Sequence, residues 1–211
     1  MWNIEFKGKI QGDVNQISTQ KPLPEGAVQF REPDSAGKAF GIGTLLILPV
    51  MIIITVLAIY RLVTIHGDVT KWGVSFGSFI FPFVICFAIA LASQYIHEYI
   101  HAFLIPKTIK KQIYVKPDDN MLFVYIEDPV PKKNFVISLL GPATILGLIP
   151  YMIWYIIAPV FSPVISIAIF AYSFMMLLCA VGDYLNAFNC IRQVPKDGKV
   201  LNSGWHSYWI R

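Results

Sequence analysis

Three long stretches without a charged side chain constrain this 211-residue chain more than any other feature. They cover residues 39–60, 74–94 and 134–182, and the last of them runs for 49 residues without Lys, Arg, Asp, Glu or His. A helix that crosses a bilayer needs about 20 predominantly apolar residues. The first two stretches are therefore long enough for one crossing each, and the third is long enough for two.

The composition points the same way. Only 14% of the residues are charged and 55% are hydrophobic, whereas a typical soluble domain carries about 25% charged residues. This composition excludes a disordered or fibrous protein. It also argues against a water-soluble globule, because there are too few polar residues to cover its surface. The cysteines Cys86, Cys179 and Cys190 form no CxxC pair and predict no disulfide framework.

We predict an all-α integral membrane protein with four transmembrane helices, a small cytoplasmic β-hairpin at about 112–126 and short β-prone termini. Pro159 and Pro163 break helices and place the turn between the third and fourth spans. The predicted spans are residues 40–60, 75–104, 135–157 and 163–188. The predicted domains are a cytoplasmic amino-terminal segment with a linker (1–39), a membrane domain (40–190) and a cytoplasmic tail (191–211).

The distribution of Lys and Arg predicts the orientation. Fifteen of the 17 basic residues fall in the two termini and the loop between the second and third spans, and only Arg61 and Lys71 fall on the opposite side. By the positive-inside rule both termini are cytoplasmic, and we expect a bacterial cell membrane. Because topology explains the net charge of +4, the expected partner is the lipid bilayer and not a nucleic acid.

The residues that indicate chemistry lie at the end of the second predicted span, where 97–101 read His-Glu-Tyr-Ile-His. Residues four apart share one face of a helix, so His97 and His101 can bind one metal ion. Glu98 lies beside the first histidine and is placed to act as general base towards a metal-activated water. The alternative interpretation is a polar helix end that meets water at the lipid headgroups.

A catalytic zinc site needs a third protein ligand. Counted from the outer face of the membrane, His97 lies 23 residues into the second span and Asp183 lies 20 residues into the fourth. At about 1.5 Å per residue, their depths differ by only a few ångström. Asp183 is therefore the predicted third ligand, and the alternative is a solvated residue at a helix end.

Other polar residues near this depth leave alternatives open. Asn186 follows Asp183 by one helical turn and is a candidate to bind a substrate carbonyl or to support the ligand carboxylate. Glu127 and Asp128 are rival third ligands on the cytoplasmic loop. His66 and His206 lie on opposite predicted sides of the membrane and do not share a site.

The order of motifs resembles a known group of enzymes. His97-Glu98-Tyr99-Ile100-His101 is followed by a lysine-rich loop, then by Gly141-Pro142 within the next span, and finally by Gly182-Asp183. Over residues 75–190 the chain resembles the site-2-protease group of intramembrane metalloproteases, and more closely the small four-helix membrane proteins classed as zincin peptidases. The resemblance implies a zinc ion held by the two histidines and the aspartate, with Glu98 as the catalytic acid and base. The longer aspartate motif of site-2 proteases is absent.

Two further features carry alternatives. The hairpin at about 112–126 follows the histidine helix and offers an edge to which an extended substrate could add as a strand, or it is a plain surface hairpin. Gly141 and Pro142 either open a kink towards the metal or serve ordinary small-residue helix packing.

The sequence therefore predicts a membrane-embedded zinc metallopeptidase that hydrolyses a membrane protein or peptide substrate. The alternative is a non-catalytic relative that acts as a membrane sensor, immunity factor or assembly factor. A third possibility, a metal-handling or transport protein, predicts more polar residues in the middle of the membrane than this chain has. The sequence gives neither the substrate nor the oligomeric state.

Overall fold

A computed structural model describes residues 3–10, 22–72, 76–116, 121–126, 128–203 and 206–211. Within these ranges the protein is mostly helical, with two small sheets. The helices are α1 (Ala36–His66), α2 (Phe76–Ala92), α3 (Gln94–Leu104), α4 (Lys132–Pro142), α5 (Ile149–Ile157), α6 (Pro163–Cys179) and α7 (Val181–Gln193), with a π-helical segment (Ala143–Leu148) between α4 and α5.

Two continuous helical stretches are long and apolar enough to cross a membrane, Gly37–His66 and Lys132–Val160. The α2–α3 and α6–α7 pairs pass the same test only together, because they are bent by 46° and 48° respectively. The described residues thus provide two candidate spans, or four if each bent pair counts as one. The predicted spans 75–104 and 163–188 are therefore not single straight helices.

The first bend has a local cause in the side chains. The Ser93 hydroxyl donates to the carbonyl of Ile89 at 2.7 Å, and the Gln94 side-chain amide donates to the carbonyl of Ala90 at 3.3 Å. Side-chain donors that engage the carbonyls of the preceding turn can bend a helix. The chain leaves the bend in the direction of α3, with His97 in its first turn.

The second bend separates α6 from α7, and Asp183 lies in the first turn of α7. The bend lies at Ala180, whose carbonyl accepts from the backbone N–H groups of both Asp183 and Tyr184, at 3.0 and 3.1 Å. Gly43 of α1 packs directly on this point, and a Cβ atom there would lie 2.5 Å from the carbonyl oxygen of Val181. Only glycine permits α1 and α7 to approach this closely, which fixes the start of α7 against the longest helix.

Two sheets cover the end of the molecule at which the carboxyl ends of α3 and α7 lie. This end is here called the sheet end. In the first sheet, β3 pairs in parallel with β1 and in antiparallel with β4. The second sheet has the order β2-β7-β6-β5. The strands are β1 (Ile4–Lys9), β2 (Val28–Gln29), β3 (Lys111–Lys116), β4 (Met121–Tyr125), β5 (Val130–Pro131), β6 (Lys199–Ser203) and β7 (His206–Ile210).

The predicted hairpin at about 112–126 is confirmed as the β3–β4 pair, in which Gln112 lies opposite Tyr125 and Lys116 opposite Met121. Residues 117–120, which connect the two strands, lie outside the described residues. The β-prone termini also form strands, because β1 joins this hairpin and β7 joins the second sheet. That second sheet brings residues of the amino-terminal segment and the tail into one structure.

Two lysines bind backbone carbonyls at the carboxyl ends of α3 and α7: Lys111, which begins β3, and Lys132, which begins α4. Lys111 is fully buried, and its ammonium group donates to the carbonyl of Pro106 at 2.9 Å. Burial lowers the pKa of Lys111 below its usual value. Lys132 donates to the carbonyls of Ile191 and Val194, at 2.9 and 2.6 Å. Cations are favourable at helix carboxyl ends, so these lysines stabilise the ends of the two helices.

Candidate metal centre

The two bent pairs bring three side chains together. His97 and His101 lie four residues apart on α3, and Asp183 lies in the first turn of α7. The Asp183 carboxylate has Oδ2 at 3.0 Å from His97 Nε2 and Oδ1 at 3.4 Å from His101 Nε2. Among the described residues this is the group whose His, Cys, Asp or Glu atoms could hold a metal ion, and its three ligand atoms lie within 4.8 Å of one another.

The amphipathic character of α3 explains why both histidines face inward. Tyr95, Ile96 and Phe103 are each more than half exposed on the outer face of the helix. His97 and His101 are only 3% and 7% exposed on the opposite face. Because buried imidazoles need polar partners, these two rings depend on the groups that α7 and α4 supply.

A backbone carbonyl of α4 sets the tautomer of His101. Its Nδ1 lies 2.7 Å from the carbonyl oxygen of Ser138, which can only accept, so Nδ1 carries the proton. The neutral ring then has its lone pair on Nε2, facing the Asp183 carboxylate. Two acceptors at this distance repel each other unless a cation or a proton lies between them. A metal ion would supply that cation, and a carbonyl-bound Nδ1–H is the usual support of a metal-binding histidine.

Pro142 explains why the Ser138 carbonyl is available. In an α-helix this carbonyl would accept from the N–H group of residue 142, and proline has none. The next N–H group, that of Ala143, donates to Leu140 instead. The π-helical segment begins at this point, so the helix does not reclaim the carbonyl. Pro142 thus leaves the Ser138 carbonyl free to orient His101. A kink that opens the helix towards the metal stays a prediction.

Gly141 serves the other predicted purpose. A Cβ atom at this position would collide with the Leu104 side chain at the end of α3. The absence of a side chain therefore allows α4 to approach α3 closely, as in small-residue packing of membrane helices. Close approach is required for the Ser138 carbonyl to reach His101, so the two residues of the Gly-Pro pair act together.

The donor set and its spacing fit zinc. Two histidine nitrogens and a carboxylate oxygen are a common protein ligand set for catalytic zinc. Donor atoms at about 2.0–2.1 Å from a tetrahedral zinc ion lie about 3.3 Å from one another, close to the two separations from Asp183. His97 Nδ1 is buried without a hydrogen-bond partner among the described residues. The polar contact of that ring therefore runs through Nε2, the nitrogen on the Asp183 side.

A cavity of about 250 Å³ opens beside these ligands. Glu98 and Asn186 both line it, together with His101 and Asp183. The backbone N–H of Val124 on β4 interacts with the Glu98 carboxylate. The cavity is thus large enough for water and a short stretch of peptide, and the residues of the cluster form part of its wall.

The remaining sequence candidates lie elsewhere. Asp128 is not part of the cluster, and Glu127 lies outside the described residues. His206 pairs with Glu32 at 2.8 Å on the second sheet, and His66 contacts Trp72 after the end of α1. These positions agree with the prediction that neither histidine shares the site.

Sequence reasoning missed two contributors to the site. The Ser138 carbonyl orients His101, yet a backbone atom leaves no trace in the residue type; Pro142 four residues later is the signal from which it could have been inferred. Asn202 of β6 also lines the cavity. It lies in the tail, and only the pairing of distant strands brings it there.

Replacing Pro142 with alanine is expected to weaken zinc binding by about 10- to 100-fold, the usual cost of losing a supporting partner of a ligand histidine. The new N–H group competes with His101 for the Ser138 carbonyl. The metal-free protein should become more heat-stable at the same time, because an interior proline costs a helix about 3 kcal/mol. Competition with a zinc chelator and thermal unfolding measure the two effects. Pro150→Ala is the matched control, because Pro150 lies in the first turn of α5 and does not line the cavity. An equal loss of affinity in that variant would contradict the assignment.

Comparison with known proteins gives one match. Neither the curated proteins nor the solved structures contain a match to this chain. The wider resemblance to site-2 proteases stays a prediction. The family described as "Putative zincin peptidase" matches residues 90–198, slightly more than half of the chain, and this range contains all three clustered side chains. The chain therefore belongs to the zincin peptidase family so described.

Proposed function

We propose that this protein is a membrane-embedded zinc metallopeptidase with its active site near the cytoplasmic face. The observation that carries the proposal is the convergence of His97, His101 and Asp183 from two bent helices beside a cavity that Glu98 also lines. Membership of a zincin peptidase family supports peptide hydrolysis as the reaction. The substrate class that fits the location is a membrane protein or membrane-associated peptide.

We assign the steps of hydrolysis to separate residues. His97, His101 and Asp183 would hold zinc, which lowers the pKa of a bound water towards 7 and polarises carbonyl groups. The Glu98 carboxylate takes the proton from the attacking water and returns it to the amide nitrogen that leaves. Asn186 is placed in the same cavity to donate a hydrogen bond to a substrate carbonyl.

The strand β4 offers a guide for the substrate backbone. In the first sheet β3 is paired on both sides, so the open edges among the described strands are β1 and β4. Of these two, β4 lines the cavity, through Leu122, Phe123 and Val124. An extended peptide added to this edge would run past Glu98, and strand addition is a common mode of peptide recognition. The sequence expectation of an edge beside the site is thereby supported.

The surface supports membrane insertion. Ile52, Ile53 and Val56 on α1 are exposed by 54%, 57% and 58%, and Ile156 near the end of α5 is exposed by 71%. Contiguous apolar surfaces of this kind are rare on soluble proteins. Most of the basic residues lie at the sheet end. By the positive-inside rule this favours a cytoplasmic location for the sheets and both termini.

The proposal is tested in cells that carry either the wild-type protein or Glu98→Gln as the sole copy. We expect at least one membrane protein to accumulate in uncleaved form in the Glu98→Gln cells, measured by comparing the two membrane proteomes. Glu5→Gln is the matched control, because Glu5 forms its ion pairs with Lys7 and Lys110 on the first sheet. Identical membrane proteomes, with full function in the Glu98→Gln cells, would favour the non-catalytic alternative.

A further inference from the structure

A second cavity, separate from the metal centre, lies at the sheet end between the last turns of α7 and the strands β2 and β7. Its volume is about 480 Å³. The side chains that matter for its chemistry are Gln29, Arg31, Asn189, Arg192, Gln193 and Trp209. None of the described residues that line it is acidic, so its charge is positive.

The cavity wall is stabilised by contacts to the backbone of Arg31 and by strand pairing, and the two arginine side chains take no part in these contacts. Gln193 clasps the backbone of Arg31 twice, since the Arg31 N–H donates to Gln193 Oε1 at 2.7 Å and Gln193 Nε2 donates to the Arg31 carbonyl at 3.2 Å. The pairing of β2 with β7 holds Trp209 opposite Val28. The two guanidinium groups are therefore brought to one cavity by contacts that leave them available.

Within the described ranges, neither Arg31 nor Arg192 forms an ion pair with a carboxylate. Arg192 lies over the ring of Phe188, with its guanidinium carbon 5.1 Å from the ring centre. The nearest acidic residue in sequence to Arg31 is Glu32, whose carboxylate is taken up by His206 and by the backbone N–H of Ser207. Two guanidinium groups without a carboxylate partner favour an external anion.

A buried amide adds an unused donor. Asn189 is 8% exposed, it lines the cavity, and its Nδ2 has no hydrogen-bond partner among the described residues. A buried donor without a partner costs about 1–3 kcal/mol, so this amide favours a ligand that accepts its hydrogen bond. Guanidinium groups bind phosphate oxygens through paired hydrogen bonds, and the amide supplies one more donor.

We propose that this cavity binds the phosphate group of an anionic phospholipid. Arg31 lies four residues before the capping residue of α1, Ser35, and Arg192 lies in the last turn of α7. If α1 and the α6–α7 pair cross the bilayer, both arginines are at the level of the cytoplasmic headgroups, where basic pockets and tryptophan side chains meet lipid. A soluble phosphate compound shares the same chemistry, and the experiment separates the two sources.

The test uses the purified full chain in an uncharged detergent, with binding followed by calorimetry. The probes are a short-chain phosphatidylglycerol, the matching phosphatidylcholine and inorganic phosphate. We expect wild-type protein to bind phosphatidylglycerol in preference to phosphatidylcholine, and the double variant Arg31→Gln, Arg192→Gln to bind it at least tenfold more weakly. The control, Lys196→Gln with Arg211→Gln, removes the same charge at exposed positions outside the cavity and should bind as the wild type does.

Each outcome either supports the phospholipid site or overturns it. Binding of phosphatidylglycerol without binding of inorganic phosphate supports the lipid, whereas tighter binding of inorganic phosphate overturns it in favour of a soluble ligand. Equal binding of both lipids, unchanged binding in the arginine double variant, or an equal loss in the control also overturns the proposal. If the double variant does not fold, Arg192→Gln alone replaces it, since Arg192 is exposed on α7. Zinc content is unaffected in every case, so failure here leaves the proposed peptidase function untouched.

Discussion

Replacing Glu98 with glutamine is expected to leave one zinc ion per chain and to lower peptide hydrolysis by at least about 100-fold, the lower end of what a general base contributes. Glutamine has nearly the same shape as glutamate, but its amide does not accept the proton of the attacking water. Glu98 lies outside the group of three side chains that could hold the metal ion, so metal binding should survive. Elemental analysis of the purified variant measures the zinc.

Hydrolysis is measured on the protein that accumulates in the Glu98→Gln cells, with wild-type enzyme as reference. Glu5→Gln should keep both zinc and activity, because its ion pairs lie on the first sheet. Undiminished cleavage by Glu98→Gln would show that another group takes the proton. Loss of zinc together with activity would instead place Glu98 among the ligands.

The second large effect is expected at Asp183. Its replacement by alanine leaves only the two histidines and should weaken zinc binding by more than about 100-fold, since even outer partners of ligands are worth 10- to 100-fold. His97→Ala should have the same consequence. In both variants, zinc content after purification falls from one ion per chain towards zero, and hydrolysis falls with it.

Two controls make the Asp183 experiment specific. Asn186→Ala removes a polar side chain from the same cavity and should keep zinc while it weakens substrate binding, seen as a raised KM. Asp128→Ala removes the rival carboxylate of the loop and should keep both zinc and activity. Retention of zinc in Asp183→Ala, with loss in Asp128→Ala, would show that the third ligand was assigned to the wrong carboxylate.

The site was open to prediction to the extent that helix geometry alone determines it. The spacing of His97 and His101 fixes their common face, and counting residues from the outer membrane face placed Asp183 at nearly the same depth. Both inferences need only the rise and the turn of an α-helix. The structure brings these three side chains together, which is the arrangement those counts require.

The two helix bends, by contrast, could not be predicted by counting residues. They depend on Ser93 and Gln94 taking up carbonyls and on Gly43 meeting Val181, and each of these contacts is decided by the three-dimensional packing. The lysines illustrate the same limit. Their number on one side indicates topology, but the burial of Lys111 against the end of α3 follows only from the fold.

The second sheet has a consequence for the order of events during synthesis. Its strand β2 pairs with β7, so residues 28–29 find their described partner only after residues 208–209 have been made. Nearly the whole chain, including both helices that carry the three clustered side chains, is therefore made before the two termini can join. Non-local pairing of this kind is slow to form. The pairing of β2 with β7 is therefore a late step, and removal of the last few residues would leave β2 without its strand partner, whereas β1 would keep its pairing with β3.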